Sequence, residues 1–269
     1  MPLDALLLPL LVKIAAAALV VVVASLAAEK AGPFYGGMIT ALPVSTGPAF
    51  VMLALEHGDR FVADAALSGL VGNAAIILYL ALLVRIAPRW SMAATVTASS
   101  VFWIAVAATL RSAVDWTLPL AVLLILACYG LAARVAAAPI PADKAARAAR
   151  SRWYDIPARA GLVGLLVSTV TTLSHSIGPA ATGVAAVFPI ALTSLTVILH
   201  SRMGGAVVAA AMRSALLTNP GLTLALITAH LLAEPAGRAV ALSAALAVSL
   251  SWAGALLVWR LRRPAQPAA

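Results

Sequence analysis

Apolar residues run along this chain in long blocks, and polar residues punctuate them. Nine blocks come close to the roughly 20 residues a helix needs to cross a bilayer. They cover 5–28, 34–55, 61–85, 91–110, 116–137, 160–176, 180–199, 206–231 and 239–259. Short polar breaks part them: Glu56 to Arg60, Arg85 to Arg89, Arg111 to Asp115, and Glu234 to Arg238. One break is long, 138–157, and it carries Pro139, Pro141, Lys144, Arg147, Arg150 and Arg152. Block 5–28 lacks the basic leader of a secretory signal and is expected to stay as a helix. The pattern predicts an all-α polytopic membrane protein with about nine transmembrane helices.

Composition sharpens this. Of 269 residues, 63% are hydrophobic and only 10% charged, whereas a soluble domain carries about a quarter charged residues. A soluble core could not hide so much apolar surface, so the lipid bilayer is the expected surrounding. The net charge of +9 would suggest nucleic acid in a soluble protein. Here the basic residues sit in the breaks and obey the bias that holds Lys and Arg on the cytoplasmic side. With the long basic loop inside, 13 of the 18 Lys and Arg fall on that side, three fall opposite (Arg60, Arg111 and Arg238), and Lys13 and Arg213 lie within spans. This predicts a bacterial cytoplasmic membrane protein with its N-terminus outside and its C-terminus inside, and no nucleic-acid partner.

The chain also matches itself. Gly32-Pro33, Gly37 and Pro43 recur as Gly178-Pro179, Gly183 and Pro189 at identical spacing. In the same register Lys13 meets Arg159, Gly58 meets Gly204, Ser68 meets Ser214, and Asn73 meets Asn219. After a small shift, Ser100, Trp103 and Arg111 meet Ser249, Trp252 and Arg260. Gly, Pro, Asn and Trp matching in one register indicates a duplication. The expected organisation is 1–115 as a first four-helix repeat, 116–157 as a linker helix plus basic loop, and 158–269 as a second four-helix repeat. The lone linker helix starts the second unit on the opposite face, so a 4+1+4 arrangement of two inverted repeats follows.

Each repeat resembles a GlpM-type unit, the family of small four-helix inner-membrane proteins that includes YdgC. The resemblance rests on Gly37, Leu42-Pro43, Gly58, a polar third span ending near Arg85, and Ser100 with Trp103. In the second copy it rests on Gly183, Phe188-Pro189, Gly204, and Ser249 with Trp252. It implies a membrane location, and an association with envelope exopolysaccharide (alginate) production without a defined reaction.

Several residues could carry function. Pro43 is followed by Ser45 and Thr46, enough to open backbone groups at membrane depth, and Pro189 stands at the matching place. Paired broken helices point to a transporter's site, with plain packing as the alternative. Asn73 and Asn219 either bond helices together or line a polar path. Arg213 lies two turns into its span, where a charge is costly and marks function unless it snorkels. Asp64 is its candidate acidic partner, although inverted repeats would bring the two in from opposite faces. A cationic core would favour an anionic solute. The single cysteine, Cys128, and the four scattered histidines show no metal-binding spacing. No motif of an enzyme or cofactor site is present, so no cofactor is expected.

The expectation is therefore a secondary transporter or permease for a small solute or ion, its site lying between inverted repeats. The alternative is a non-transporting accessory or scaffold protein of envelope polysaccharide production. A homo-oligomer or an envelope-assembly partner is compatible with either. Reporter fusions at Gly58, at Arg150 and at the C-terminus test the topology: the first is expected outside and the other two inside. A shared compartment for Gly58 and Arg150 would break the scheme.

Overall fold

The computed structural model describes residues 45–137 and 154–262, together with positions 15, 18, 19, 22 and 23. Pro43, the Gly32-Pro33 and Gly37 motif, Lys13 and most of the basic loop lie outside the described residues. What is described is all-helical. Helices α1 (Thr46–Glu56), α2 (Asp59–Ile86), α3 (Met92–Ala113) and α4 (Leu118–Ala136) are followed by α5 (Asp155–Ala186) and α6 (Ile190–Met203). The last described helices are α7 (Gly205–Thr218), α8 (Pro220–Ala236) and α9 (Arg238–Leu261).

The molecule is apolar outside as well as inside. On α4, the small residues Ala121, Cys128, Ala132 and Ala136 are buried with Ile125, while Leu120, Leu123, Leu126 and Leu131 point outward. Val101, Ile104, Leu165, Leu246 and Leu250 do the same on other helices. A water-soluble protein rarely exposes so much contiguous apolar surface. In a membrane, lipid takes the large side chains and small ones let helices approach. The protein is accordingly an integral membrane protein.

Among the described residues six helical stretches are long and apolar enough to cross a membrane, so the count of nine is not supported. Most of the first expected span and half of the second lie outside the described residues. The two expected over 160–199 form one continuous apolar stretch, Asp155–Met203. That stretch folds back on itself. Gly178 takes φ 73° and ψ 174°, a conformation open to glycine, and Pro179 follows where a missing N–H costs nothing. Arg202 thereby returns to Asp155 and forms a bidentate pair with it at 2.5 and 2.6 Å.

Helix α2 is the hub. It packs against α3, α4, α5, α7 and α8, and every residue from Gly69 to Ile77 is buried, so no side of its middle faces lipid. Its course relative to α7 and α8 is antiparallel. Near the start of α2, His230 Nδ1 donates to Ala63 O at 2.9 Å. At the middle, Asn73 meets Asn219. At the end, a Cβ on Gly205 would stand 1.7 Å from Ala87 O. Close approach runs on the other side of α2 too. A Cβ on Gly183 would lie 2.0 Å from Ala65 O, and one on Gly72 would lie 2.6 Å from Val187 Cγ2.

Both ends are fastened. At one, Asp59 accepts from the Arg238 backbone N–H and guanidinium at 3.0 Å, and Arg238 Nε donates to Ala54 O. At the other, beside the Asp155–Arg202 pair, His200 Nε2 lies 3.2 Å from Ala87 O and 3.1 Å from Trp90 O.

Two glycine substitutions test the packing. Gly183→Val is expected to destabilise the protein in detergent by about 2 kcal/mol or more, since its side chain has no room against α2. Gly161→Ala, at a helical position with no atom within 4 Å of an added Cβ, is expected to be neutral or stabilising. Thermal unfolding of the two variants side by side makes the comparison.

Candidate functional site

The middle of the bundle is where polar groups converge. Asn73 sits at the centre of α2, fully buried, and Asn219 is the residue between α7 and α8. Asn219 Nδ2 donates to Asn73 Oδ1 at 3.0 Å, and Asn73 Nδ2 donates to Asn219 Oδ1 at 3.3 Å. Asn73 Nδ2 also donates to Thr223 Oγ1 at 2.9 Å. Tyr129, from α4, donates to Asn219 Oδ1 at 2.7 Å and lies 3.2 Å from Thr223 Oγ1. Three elements thus share one hydrogen-bonded knot with no formal charge in it.

Two helix breaks flank α2 at this depth. The chain leaves helix between Ala186 and Ile190, with Pro189 at φ −78° and ψ 47°. Val187, within that break, touches Gly72. The second is milder: at Asn219-Pro220 the backbone stays helical, with Asn219 at φ −58° and ψ −28°, and only the hydrogen-bond ladder is interrupted. Proline has no N–H and its ring crowds the preceding turn, so carbonyls at the end of α7 lose helical donors. The Trp252 indole N–H supplies one of them, donating to Leu217 O at 3.2 Å.

Trp103, the match of Trp252, finds no such acceptor. Trp103 lies edge-on to Phe188, ring centroids 5.0 Å apart, and its Nε1 is buried with no acceptor among the described residues. It shares the one buried stripe of α3 with Thr95, Ser99 and Ala107. The Thr95 hydroxyl is likewise buried and unpartnered among the described residues. Where α2 meets α6, Tyr79 lies 2.9 Å from Thr193 Oγ1. The Thr193 hydroxyl donates to Pro189 O, so Tyr79 is the donor between them. A region beside the first break therefore holds buried donors, Trp103 Nε1 and Thr95 Oγ1, that have no acceptor among the described residues.

The expected residues divide as follows. Asn73 and Asn219 come together directly. Pro189 makes a true break, and Thr182 Oγ1 donates to Gly178 O in the half-helix before it, at 2.7 Å. Ser45 and Thr46 are buried at the start of α1; Pro43 lies outside the described residues. Arg213, on α7, is half-buried with its Nε shielded from solvent. The pairing of Asp64 with Arg213 does not form. Asp64 faces Arg60 at 4.0 Å, one turn away on its own helix. Antiparallel packing sets Arg213 near the level of Tyr79, about 15 residues along α2 from Asp64 and so about 22 Å away.

Tyr129, Thr223, Tyr79, Thr95 and Ser99 were not singled out by sequence. Thr223 lies one turn beyond Asn219 on the same face, which is the one local signal available. At one end of the bundle the structure also gathers Glu56, His57 and His175, whose ligand atoms lie within 4.8 Å of one another.

No family model matches this chain, and no curated protein or solved structure does either.

Asn73→Ala leaves the Asn219 amide short of a partner and is expected to cost about 1–2 kcal/mol. Asn73→Leu combined with Asn219→Leu is expected to cost less than the two single changes added together. A double-mutant cycle on detergent-solubilised protein measures that coupling.

Proposed function

We propose that the chain is a bacterial cytoplasmic-membrane permease for a small polar solute, built from two inverted repeats, with its site at mid-bundle. The observation that carries this reading is the helix break at Val187–Pro189 together with the proline interruption at Asn219-Pro220, set at one depth against the middle of α2. Irregular backbone at membrane depth is tolerated where it lines a cavity or is buried in protein, and interrupted helices build the central sites of transporters. Both interruptions belong to the second repeat; Pro43, the counterpart of Pro189 in the first, lies outside the described residues.

Several contacts favour the inverted arrangement. Asn73 and Asn219, matched by sequence, meet each other, as residues on a pseudo-two-fold axis would. The turn after α1 packs on the α8–α9 turn through Asp59 and Arg238. Reciprocally, the end of α6 and the start of α7 pack on the α2–α3 turn through His200 and Gly205. Helix α2 and the α7–α8 pair run in opposite directions. The excess of basic residues near Arg85, Arg89, Arg202 and Arg262 supports placing that end in the cytoplasm.

The donors of Trp103 and Thr95, without acceptors among the described residues, suit a solute that offers hydrogen-bond acceptors. Arg213 is the deepest charge among the described residues of α7 and α8 and favours an anion among such solutes. The Asn73–Asn219 knot would then be the closed barrier that parts as the halves rock.

The test is solute flux in proteoliposomes across a panel of small organic anions and neutral polar solutes. Flux above that of protein-free vesicles is expected, together with loss of anion flux in Arg213→Gln and reduced flux in Trp103→Phe, both variants still inserting. No flux for any solute would sink the permease reading and leave an accessory role. Undiminished flux in both variants would move the site elsewhere.

A further inference from the structure

Outside the mid-bundle site, the chemistry-bearing cluster that stands out lies where the α1–α2 turn meets the end of α5. Sequence spacing gives no hint of it, because 117 positions separate His57 from Ser174 and its neighbour His175. We propose that Glu56, His57 and His175 form a binding site for a divalent transition-metal ion, with Zn2+ the ion that fits the donors best.

The donor set is two imidazoles and a carboxylate, the mixture of nitrogen and oxygen that zinc takes in three-ligand sites with a fourth position open to water. The spacing agrees. His175 Nε2 lies 3.6 Å from Glu56 Oε2. Bond lengths of about 2.0–2.2 Å in a tetrahedron place neighbouring ligand atoms about 3.4 Å apart. All three ligand atoms fall within 4.8 Å, so a contraction of at most about 1.4 Å, within reach of side-chain rotation, completes the geometry.

The outer contacts prepare His57 for this role. Ser174 Oγ donates to Thr171 O at 2.6 Å, which commits its only proton. The 2.6 Å contact between His57 Nε2 and Ser174 Oγ therefore has His57 Nε2–H as donor, and the lone pair resides on Nδ1. Fixing one ring nitrogen with a hydrogen bond to orient the other is how proteins present a ligating histidine. The ring is further held by stacking on Phe61, centroids 3.7 Å apart and planes 7° from parallel. His175 sits beside it, centroids 4.3 Å apart, and is exposed, so an ion can enter from water. Because Glu56 and His57 precede α2 while His175 ends the first pass of α5, a bound ion would tie two parts of the bundle together at one face.

The experiment uses tag-free protein in detergent, titrated with Zn2+ by calorimetry and with Co2+ by visible absorption. One equivalent of Zn2+ is expected to bind, with a rise in unfolding temperature that a chelator reverses. Co2+ is expected to show the intense visible bands of a low-symmetry, four- or five-coordinate site. His57→Ala and His175→Ala should each weaken binding by more than about tenfold, and Ser174→Ala by about tenfold, the usual effect of losing an orienting partner. His230→Ala, at a histidine on α8 bonded to Ala63 O, should leave binding unchanged. His175→Gln is a second variant, at an exposed position where folding is not in question. Absence of stoichiometric binding would overturn the proposal, and so would binding that survives both His57→Ala and His175→Gln.

Discussion

Two amides exchange hydrogen bonds at the centre of this bundle, and the arrangement of everything around them follows from that exchange. Asn73 and Asn219 are buried where neither water nor lipid can satisfy them. Each must therefore face the other or another polar group, and this fixes both the crossing point of α2 on the α7–α8 pair and its register. A slip of one residue along either helix would turn an amide toward apolar side chains. Thr223 and Tyr129 complete the knot and bring α4 into it.

Around that fixed point, association is governed by closeness rather than by apolar burial, because lipid is as apolar as the core. Gly72 and Gly183 let the half-helix before Pro189 lie directly on α2, and Gly205 does the same for α7. Large side chains on α4 and α9 are left for lipid. At the ends, where water returns, charge takes over: Asp155 with Arg202, and Asp59 with Arg238. The depth at which these packed half-helices stop is the depth of the polar knot, which is why helix interruptions and amides coincide.

Much of this was legible in the residues. Long apolar blocks marked the helices and the membrane, and the match of Asn73 with Asn219 picked out the two amides that meet. Gly178-Pro179 and Pro189 marked real interruptions. The count of nine is not supported, because most of the first block and half of the second lie outside the described residues and the two over 160–199 form one continuous apolar stretch around Gly178. Asp64 does not reach Arg213 because the two enter from opposite faces, the obstacle the inverted scheme itself implied, and Arg60 is nearer. The Glu56, His57 and His175 cluster and the role of Tyr129 depend on which distant turns and helices touch, and residue spacing carries no trace of that.

The central claim is that α2 runs antiparallel to α7 and α8 with the two amides at the crossing. Paired-cysteine crosslinking in native membranes, in a Cys128→Ser background, tests it most directly. Ala63→Cys with His230→Cys is expected to form a disulfide readily. Ala63→Cys with Ala206→Cys, about 30 Å apart along the helix, is expected to form none. Crosslinking of the second pair without the first would mean that the helices run parallel, and the account would fail.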